Sequence, residues 1–334
     1  MTGDLKHPEA FAEIITRNPA MRALFHYVES IAQSAHTVLI TGETGVGKEL
    51  FARAFHNAAG GGPFVAVNVA GVDDHFFADT LFGHAPGAFT DAHEFRPGLI
   101  AEAENGTLFL DEIGDLSVIS QLKLLRLVET YEYFPLGADK PRRTNARIVV
   151  ATNRDRKRLQ QNEGFRDDLY YRLQAHHIHV PPLREHLDDL PLLVPEFLHR
   201  AALRMHKKVP TAPPELLALL ATYDFPGNVR ELEAMIADAV AHHHAHMLSL
   251  ERFRDYISHP GRRISPVAAA DAPFAGLHPL PSLKEVQRML IAEALRRSQG
   301  NQSIAARLIG MTQSGISKAM KRLGAGTTTS SPWK

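Results

Sequence analysis

The chain has 334 residues, 44% hydrophobic and 22% charged, which describes an ordinary globular protein of about two domains with ample material for a core. Lys and Arg (37) balance Asp and Glu (37), so the chain as a whole does not advertise nucleic-acid binding, and the absence of cysteine excludes disulfides and thiolate metal sites. The start, MTGDLKHPEAFAEI, has no apolar signal-peptide core and no stretch approaches the ~20 apolar residues of a membrane helix, so a cytoplasmic protein without membrane contact is expected.

In chain order, short apolar runs alternate with amphipathic stretches through the first half. Buried strands are predicted at Thr37–Thr41, Phe64–Asn68, Thr107–Leu110, Arg147–Ala151 and His177–Val180. The alternation predicts an α/β domain with a largely parallel sheet over residues 1–184. After Pro181-Pro182 the strand signals stop, and residues 185–257 read as a small helical domain with helices at Pro214–Thr222 and Asn228–His242. Residues 258–281 are rich in Pro, Gly and Ala and read as a flexible linker. A helix opens at Ser282, where Glu285 completes a capping box. Residues 282–323 form a last module, and the tail 324–334 reads as disordered.

Two motifs define a phosphate site. Gly42, Glu43, Thr44, Gly45, Val46, Gly47 and Lys48 fit GxxxxGK between an apolar strand and a helix, the context a P-loop requires. The glycines let backbone N–H groups curl around phosphate oxygens, and the helix N-terminus adds its partial positive charge. Lys48 reaches the β- and γ-phosphates, and Glu49 stands where Ser or Thr usually follows. The apolar strand GTLFL then ends in Asp111 and Glu112. Asp111 suits the water shell of Mg²⁺ and Glu112 the orientation of an attacking water, so ATP and Mg²⁺ are the expected cofactors.

Residues 302–321 fit a helix-turn-helix. Ala306 sits where only a small side chain lets two helices approach, Gly310 occupies the turn and Ile316 faces inward. Gln313, Ser314, Ser317, Lys318 and Lys321 then point toward base edges or phosphate. From Leu280 to Leu323 eight Lys and Arg face two Glu, a local basic footprint that suits DNA. Gly315 softens the recognition helix. His242, His243, His244 and His246 cluster at a helix end; the i, i+4 pair His242/His246 could bind a metal, but a helix C-terminus simply favours such residues.

With these motifs on the page, the chain resembles the AAA+ activators of sigma-54 RNA polymerase, the bacterial enhancer-binding proteins, from about Pro19 to Leu323. GETGVGKE, LFGH, GAFTDA, FRDDLYYRL, PPLRE and PGNVREL carry the resemblance. It implies an AAA+ P-loop core with a helical lid and a C-terminal all-α Fis-type helix-turn-helix that pairs two subunits. It implies that Asn68 restrains the catalytic glutamate, that Thr152 and Asn153 form sensor I, and that Arg230 is sensor II. It also implies that Arg166 and Arg172 reach the neighbouring subunit's nucleotide, so that the active site needs a homo-oligomeric ring, usually a hexamer. Gly87, Ala88, Phe89, Thr90, Asp91 and Ala92 resemble the GAFTGA loop that contacts sigma-54, with Asp91 in place of glycine. Aspartate tolerates the left-handed region better than most residues, but it adds a negative charge at the contact tip. Val69, Pro135 and Phe225 are smaller departures, and Val69 and Phe225 read as core substitutions.

The family often carries an N-terminal regulatory domain, whereas here the ATPase is expected to begin almost at residue 1. That layout resembles the phage shock protein F type of activator and implies control by a separate regulatory protein, by expression level or by an unrecognised contact. The leading expectation is an ATP-dependent activator that binds upstream DNA and remodels the closed sigma-54 RNA polymerase complex. The alternative is a DNA-binding regulator independent of sigma-54, with ATP tuning oligomerisation. A chaperone-like remodeller is a third reading, against which the helix-turn-helix argues.

Overall fold

The computed structural model describes residues 4–90, 92–154, 164–243 and 247–258, with 290–295, 298, 302, 305, 306 and 309. Two compact units divide the chain, Met1–Ser265 and Pro266–Lys334.

In the first unit the strands are β1 (Val38–Thr41), β2 (Phe64–Asn68), β3 (Gly83–His84), β4 (Arg96–Pro97), β5 (Thr107–Asp111), β6 (Glu132–Tyr133), β7 (Arg142–Arg143), β8 (Arg147–Thr152) and β9 (His176–His179). Five of them form one sheet in the order β2-β5-β8-β1-β9, parallel throughout. These are the five predicted strands, each within a residue or two of its expected ends. Side chains alternate across the sheet because successive residues of a strand face opposite ways. Leu39, Leu108, Leu110, Ile148 and Val150 enter one core, whereas Val38, Ile40, Phe109, Val149 and Ala151 enter the other. A sheet covered on both faces explains why its strands read as continuous apolar runs.

The covering helices are α1 (Pro19–Ile31), α2 (Lys48–Ala58), α3 (Asp74–Phe82), α4 (Leu99–Glu102), α5 (Val118–Thr130) and α6 (Asp167–Leu173). Their starts carry local signals: the Asn18 side chain accepts from Ala20 N and Met21 N ahead of Pro19, Asp73 caps α3 and Ser117 caps α5. The lid contains α7 (Leu190–Arg204), α8 (Glu215–Leu220), α9 (Asn228–Ala241) and α10 (Glu251–Ile257) around its own core. Tyr223 and Phe225 are buried there with rings 5.1 Å apart, and Val69 is buried in the first core, as expected for both positions.

Two features were not read from the sequence. β3-β4 and β6-β7 are antiparallel pairs of two residues per strand, too short for any periodicity to show. They are tied together, Leu136 N donating to Gly83 O and Ala85 N to Leu136 O at 2.8 Å each. The lid also contains one isolated bridge, Thr211 to Met247.

In the second unit residues 290–295 are helical, as are 302, 305 and 306. Ala294, Ala305 and Ala306 are buried against one another, with Leu295 and Ile309 alongside, so Ala306 does occupy a close-packed position. The expected linker beyond Ser258, the recognition residues Gln313, Ser314, Ser317, Lys318 and Lys321, and Gly310, Gly315, Ile316 and the tail lie outside the described residues.

Candidate functional site: a phosphate loop under a helical lid

β1 ends at Thr41, and the loop Gly42–Gly47 runs directly into α2. Gly45 and Gly47 have φ of 80° and 97°, left-handed values at which a side chain is strained. Gly47 stands at the N-cap of α2 with no side chain capping the helix, which leaves first-turn N–H groups for an anion. Lys48 is buried; Nζ donates to Gly42 O at 3.0 Å and lies 3.5 Å from Glu112 Oε1. Asn153 follows β8 and closes the far side, its N–H donating to Glu112 Oε2 at 3.0 Å and its side-chain amide to Thr44 Oγ1 at 3.4 Å. Lys48, Glu112, Asn153 and Thr44 thus meet at the C-terminal ends of β1, β5 and β8, the crevice where parallel sheets bind ligands.

Asp111 ends β5, level with Asn68 on β2. Its Oδ1 accepts from Glu112 N at 3.0 Å. Burial, and then the neighbouring Glu112 charge, push its carboxyl above the ordinary value. Two adjacent carboxylates, one of them partly desolvated, are a hard-oxygen set that a divalent cation would relieve, so the donor chemistry fits Mg²⁺. Glu112 has φ 61°, a conformation that costs a non-glycine residue about 1–2 kcal/mol.

The remaining candidate residues make these bonds within the chain. Asn68 Oδ1 accepts from Ala70 N at 2.8 Å, while the Glu112 carboxylate is held by Lys48 and Asn153. Glu49 pairs with Arg53 at 2.7 Å on the exposed face of α2. Thr152 is buried, its Oγ1 accepting from Arg154 N. Arg166 grips Asp168 at 3.0 and 2.6 Å, and Arg172 donates to the carbonyls of Val128 and Glu129. Among the described residues neither arginine bonds to Lys48, Asp111 or Glu112 of the same chain.

Glu43 turns away from the phosphate space and makes a bidentate pair with Arg184 at 2.8 and 2.7 Å, which lowers its pKa. The fully buried Asn228, at φ 53°, donates to Glu43 Oε2 and to Thr44 O at 3.1 Å each, and its Oδ1 accepts from Leu183 N at 2.8 Å. Arg230 N donates to Gly45 O at 3.2 Å. A Cβ on Gly45 would lie 2.2 Å from Gly227 O. PPLRE and PGNVREL were legible as motifs, but their junction with Glu43 appears only in three dimensions. Beside this junction lies a cavity of about 220 Å³ walled by Ile14, Ile15 and Met21, Val46 and Leu50, and Leu193, Phe197, Val229 and Arg230 of the lid. Its walls come from segments far apart in the chain, so no local pattern signals it.

Residues 87–90 and 92 lie between β3 and β4. Gly87 N donates to Ala92 O at 2.7 Å and Ala92 N to Phe89 O at 3.0 Å, closing the loop. Thr90 is exposed, Ala92 is buried and Gly87 has φ 83°. Phe89 is half-buried, its ring edge-on to His84 at 4.9 Å and to His75 at 5.2 Å. Ala88 touches the second hairpin at Gly137. Asp91 lies outside the described residues. Among the described residues no cluster of three metal-ligating side chains occurs. His242 binds Asp238 O at 3.0 Å, and His244 and His246 are not described. No helix among the described residues is long and apolar enough to cross a membrane.

A parallel five-stranded sheet with a P-loop after β1, acidic residues at the end of β5 and a helical lid over the loop define the AAA+ class of nucleotide-binding proteins. Family models agree: residues 14–179 match the sigma-54 interaction domain, 184–269 the AAA+ ATPase lid domain and 282–323 the Fis family of bacterial regulatory proteins. Transcriptional regulatory protein ZraR of Klebsiella oxytoca is 40% identical over 321 residues, covering 94% of this chain and 70% of the relative. Formate hydrogenlyase transcriptional activator FhlA of Escherichia coli K12 is 40% identical over 319 residues, covering 94% of this chain and 44% of the relative, so the chain spans less than half the length of that protein. The crystal structure of NtrX from Brucella abortus is similar with a TM-score of 0.70 and 28% identity, covering 93% of this chain and 69% of that one. NtrX has also been solved in complex with ATP, with a TM-score of 0.66. The chain belongs to the family of AAA+ activators of sigma-54 RNA polymerase.

Proposed function

We propose that the protein hydrolyses Mg-ATP in a homo-oligomeric ring, a hexamer, and uses the cycle to remodel the closed sigma-54 RNA polymerase complex while its C-terminal module holds upstream DNA. The observation that carries this reading is the meeting of Lys48, Glu112, Asn153 and Thr44 beneath a lid that touches the same loop. The division into an α/β subdomain to 184, a lid to 257, a linker to 281 and a helix-turn-helix to 323 is part of the same proposal.

Gly42 to Lys48 would cradle the phosphates, with Lys48 exchanging its bond to Gly42 O for phosphate oxygens. Asp111 would hold Mg²⁺ through water, and the ion supplies charge neutralisation on the phosphates. Glu112 would polarise the attacking water once its own bonds to Lys48 and Asn153 give way, with Asn68 close by on β2. Thr152 and Asn153 would sense the γ-phosphate, and Arg230 would report it to the lid. Arg166 and Arg172 would act on the neighbouring subunit's nucleotide. Gly87 to Ala92 would engage sigma-54, led by Phe89 and Thr90, with Asp91 adding charge at the tip. Gln313, Ser314, Ser317, Lys318 and Lys321 would contact DNA.

In vitro transcription from a sigma-54 promoter tests the reading: open complexes should form with ATP and not without it. ATP hydrolysis without open complexes would favour the regulator that works independently of sigma-54, for which Asp91 is the motivation and against which the family weighs. An Asp91→Gly change should then restore activation.

A further inference from the structure

The cavity beside the phosphate loop contains a polar side chain that the fold leaves half used. His186, just before the lid helices, lines this cavity; its side chain is 6% exposed and that of its partner Asp189 is 0% exposed. Asp189 is a saturated acceptor. Its Oδ1 accepts from Arg17 N at 2.7 Å and Asn18 N at 3.2 Å. Its Oδ2 accepts from Thr16 Oγ1 at 2.6 Å and lies 3.0 Å from His186 Nδ1. A carboxylate oxygen placed so calls for a proton on Nδ1, and the other nitrogen of a neutral imidazole is then an acceptor. Among the described residues the only fully occluded side-chain polar atoms without a partner are Thr80 Oγ1 and Asp224 Oδ2. Among the described residues His186 Nε2 has no hydrogen-bond partner, and it is not one of the fully occluded atoms, in a side chain that lines the cavity.

The same carboxylate pins residues 16–18, and the adjoining Ile14 and Ile15 form one wall of the cavity, opposite Leu193 and Phe197. Glu13, Arg200, Arg230 and Glu233 bring charge to an otherwise largely apolar lining, and a fixed acceptor among them discriminates because a ligand that brings a second acceptor to it leaves both unpaired.

We propose that His186 reads the six-position of the purine base, its Nε2 accepting a hydrogen bond from an exocyclic amino group and excluding a six-keto oxygen, with Asp189 as the positioning residue that fixes the tautomer. The proposal rests on the reading of this cavity and loop as a nucleotide site, and it adds the residue that selects adenine over guanine or hypoxanthine.

Calorimetric binding of ATP, ITP and the purine triphosphate lacking a six-substituent to the full chain tests it. The wild type should bind ATP at least about ten-fold more tightly than ITP, with the unsubstituted purine between them. His186→Phe should bring the three within about two-fold of one another. Asp189→Asn should invert the order: the amide can keep Oδ1 on the backbone N–H groups and donate from Nδ2 to His186 Nδ1, leaving Nε2–H as a donor that prefers ITP. Equal binding of ATP and ITP by the wild type, or full discrimination by His186→Phe, overturns the proposal. Inversion failing in a folded Asp189→Asn protein overturns the tautomer assignment, and if that variant does not fold, His186→Phe decides. A wild type that binds none of the three nucleotides would instead defeat the proposed function.

Discussion

Glu112 occupies a left-handed backbone position with its carboxylate split between Lys48 and the Asn153 N–H. Strain of this kind persists only where the surroundings hold it, and it concentrates at working residues. Glu112→Gln keeps the shape and one acceptor oxygen but loses the charge that orients water. ATP binding should survive while single-turnover hydrolysis falls at least ~100-fold; unchanged turnover would remove Glu112 from the chemistry. At Asp111 burial raises the folded-state pKa, so the folded protein holds that proton more tightly than the unfolded chain. Stability from this group is present at low pH and is lost as pH rises through the raised value. Asp111→Asn should therefore raise the Tm of the nucleotide-free protein at neutral pH while abolishing Mg²⁺-dependent hydrolysis, a pair of effects that thermal melts and phosphate release would check.

At the scale of elements, the lid is fastened to the phosphate loop by Asn228, by the Glu43–Arg184 pair and by the Gly45–Arg230 backbone bond. Asn228 is fully buried and satisfies three groups from two other segments. Asn228→Ala leaves those groups without their partner, a loss of roughly 1–3 kcal/mol, to be read as a lower urea midpoint together with a raised KM for ATP. Glu43 titrates in the opposite sense to Asp111. Its folded pKa is lowered, chiefly by Arg184, so its contribution is present above the ordinary glutamate range and is lost as pH falls through the lowered value. The pair is partly solvent-exposed, which screens that contribution. Gly45→Ala would set a Cβ 2.2 Å from Gly227 O at φ 80°, and it should prise the lid from the loop and weaken nucleotide binding. A variant with unaltered affinity would show that the lid and loop need not touch.

For the whole molecule, Arg166 and Arg172 sit on or beside α6 with side chains bonded to Asp168 and to the end of α5, and neither bonds to Lys48 or Glu112 among the described residues. Their assignment to a neighbouring nucleotide predicts complementation. Arg166→Ala and Lys48→Ala subunits should each be inactive alone, and mixing them should restore a measurable fraction of ATPase activity, because some interfaces then pair an intact P-loop with an intact arginine. Mixtures no more active than either parent would place Arg166 outside a shared site.

The five strands, the P-loop and the acidic end of β5 were legible in the sequence because each is a local pattern. Apolar runs of four to six residues, glycines where the backbone must turn left-handed, and charges at a strand end need no knowledge of what lies across the fold. The basic final module and Ala306 were legible for the same reason. What the tertiary structure decided was where side chains of ambiguous chemistry point. Glu43 and Glu49 sit inside a phosphate motif, yet each finds an arginine, Arg184 and Arg53, because a carboxylate is stabilised by a cation and repelled by phosphate. The cavity beside the loop and the Thr16–His186–Asp189 cluster were invisible because Thr16 lies some 170 positions from His186 and Asp189, and only packing of the lid against residues 14–18 brings them within hydrogen-bond reach.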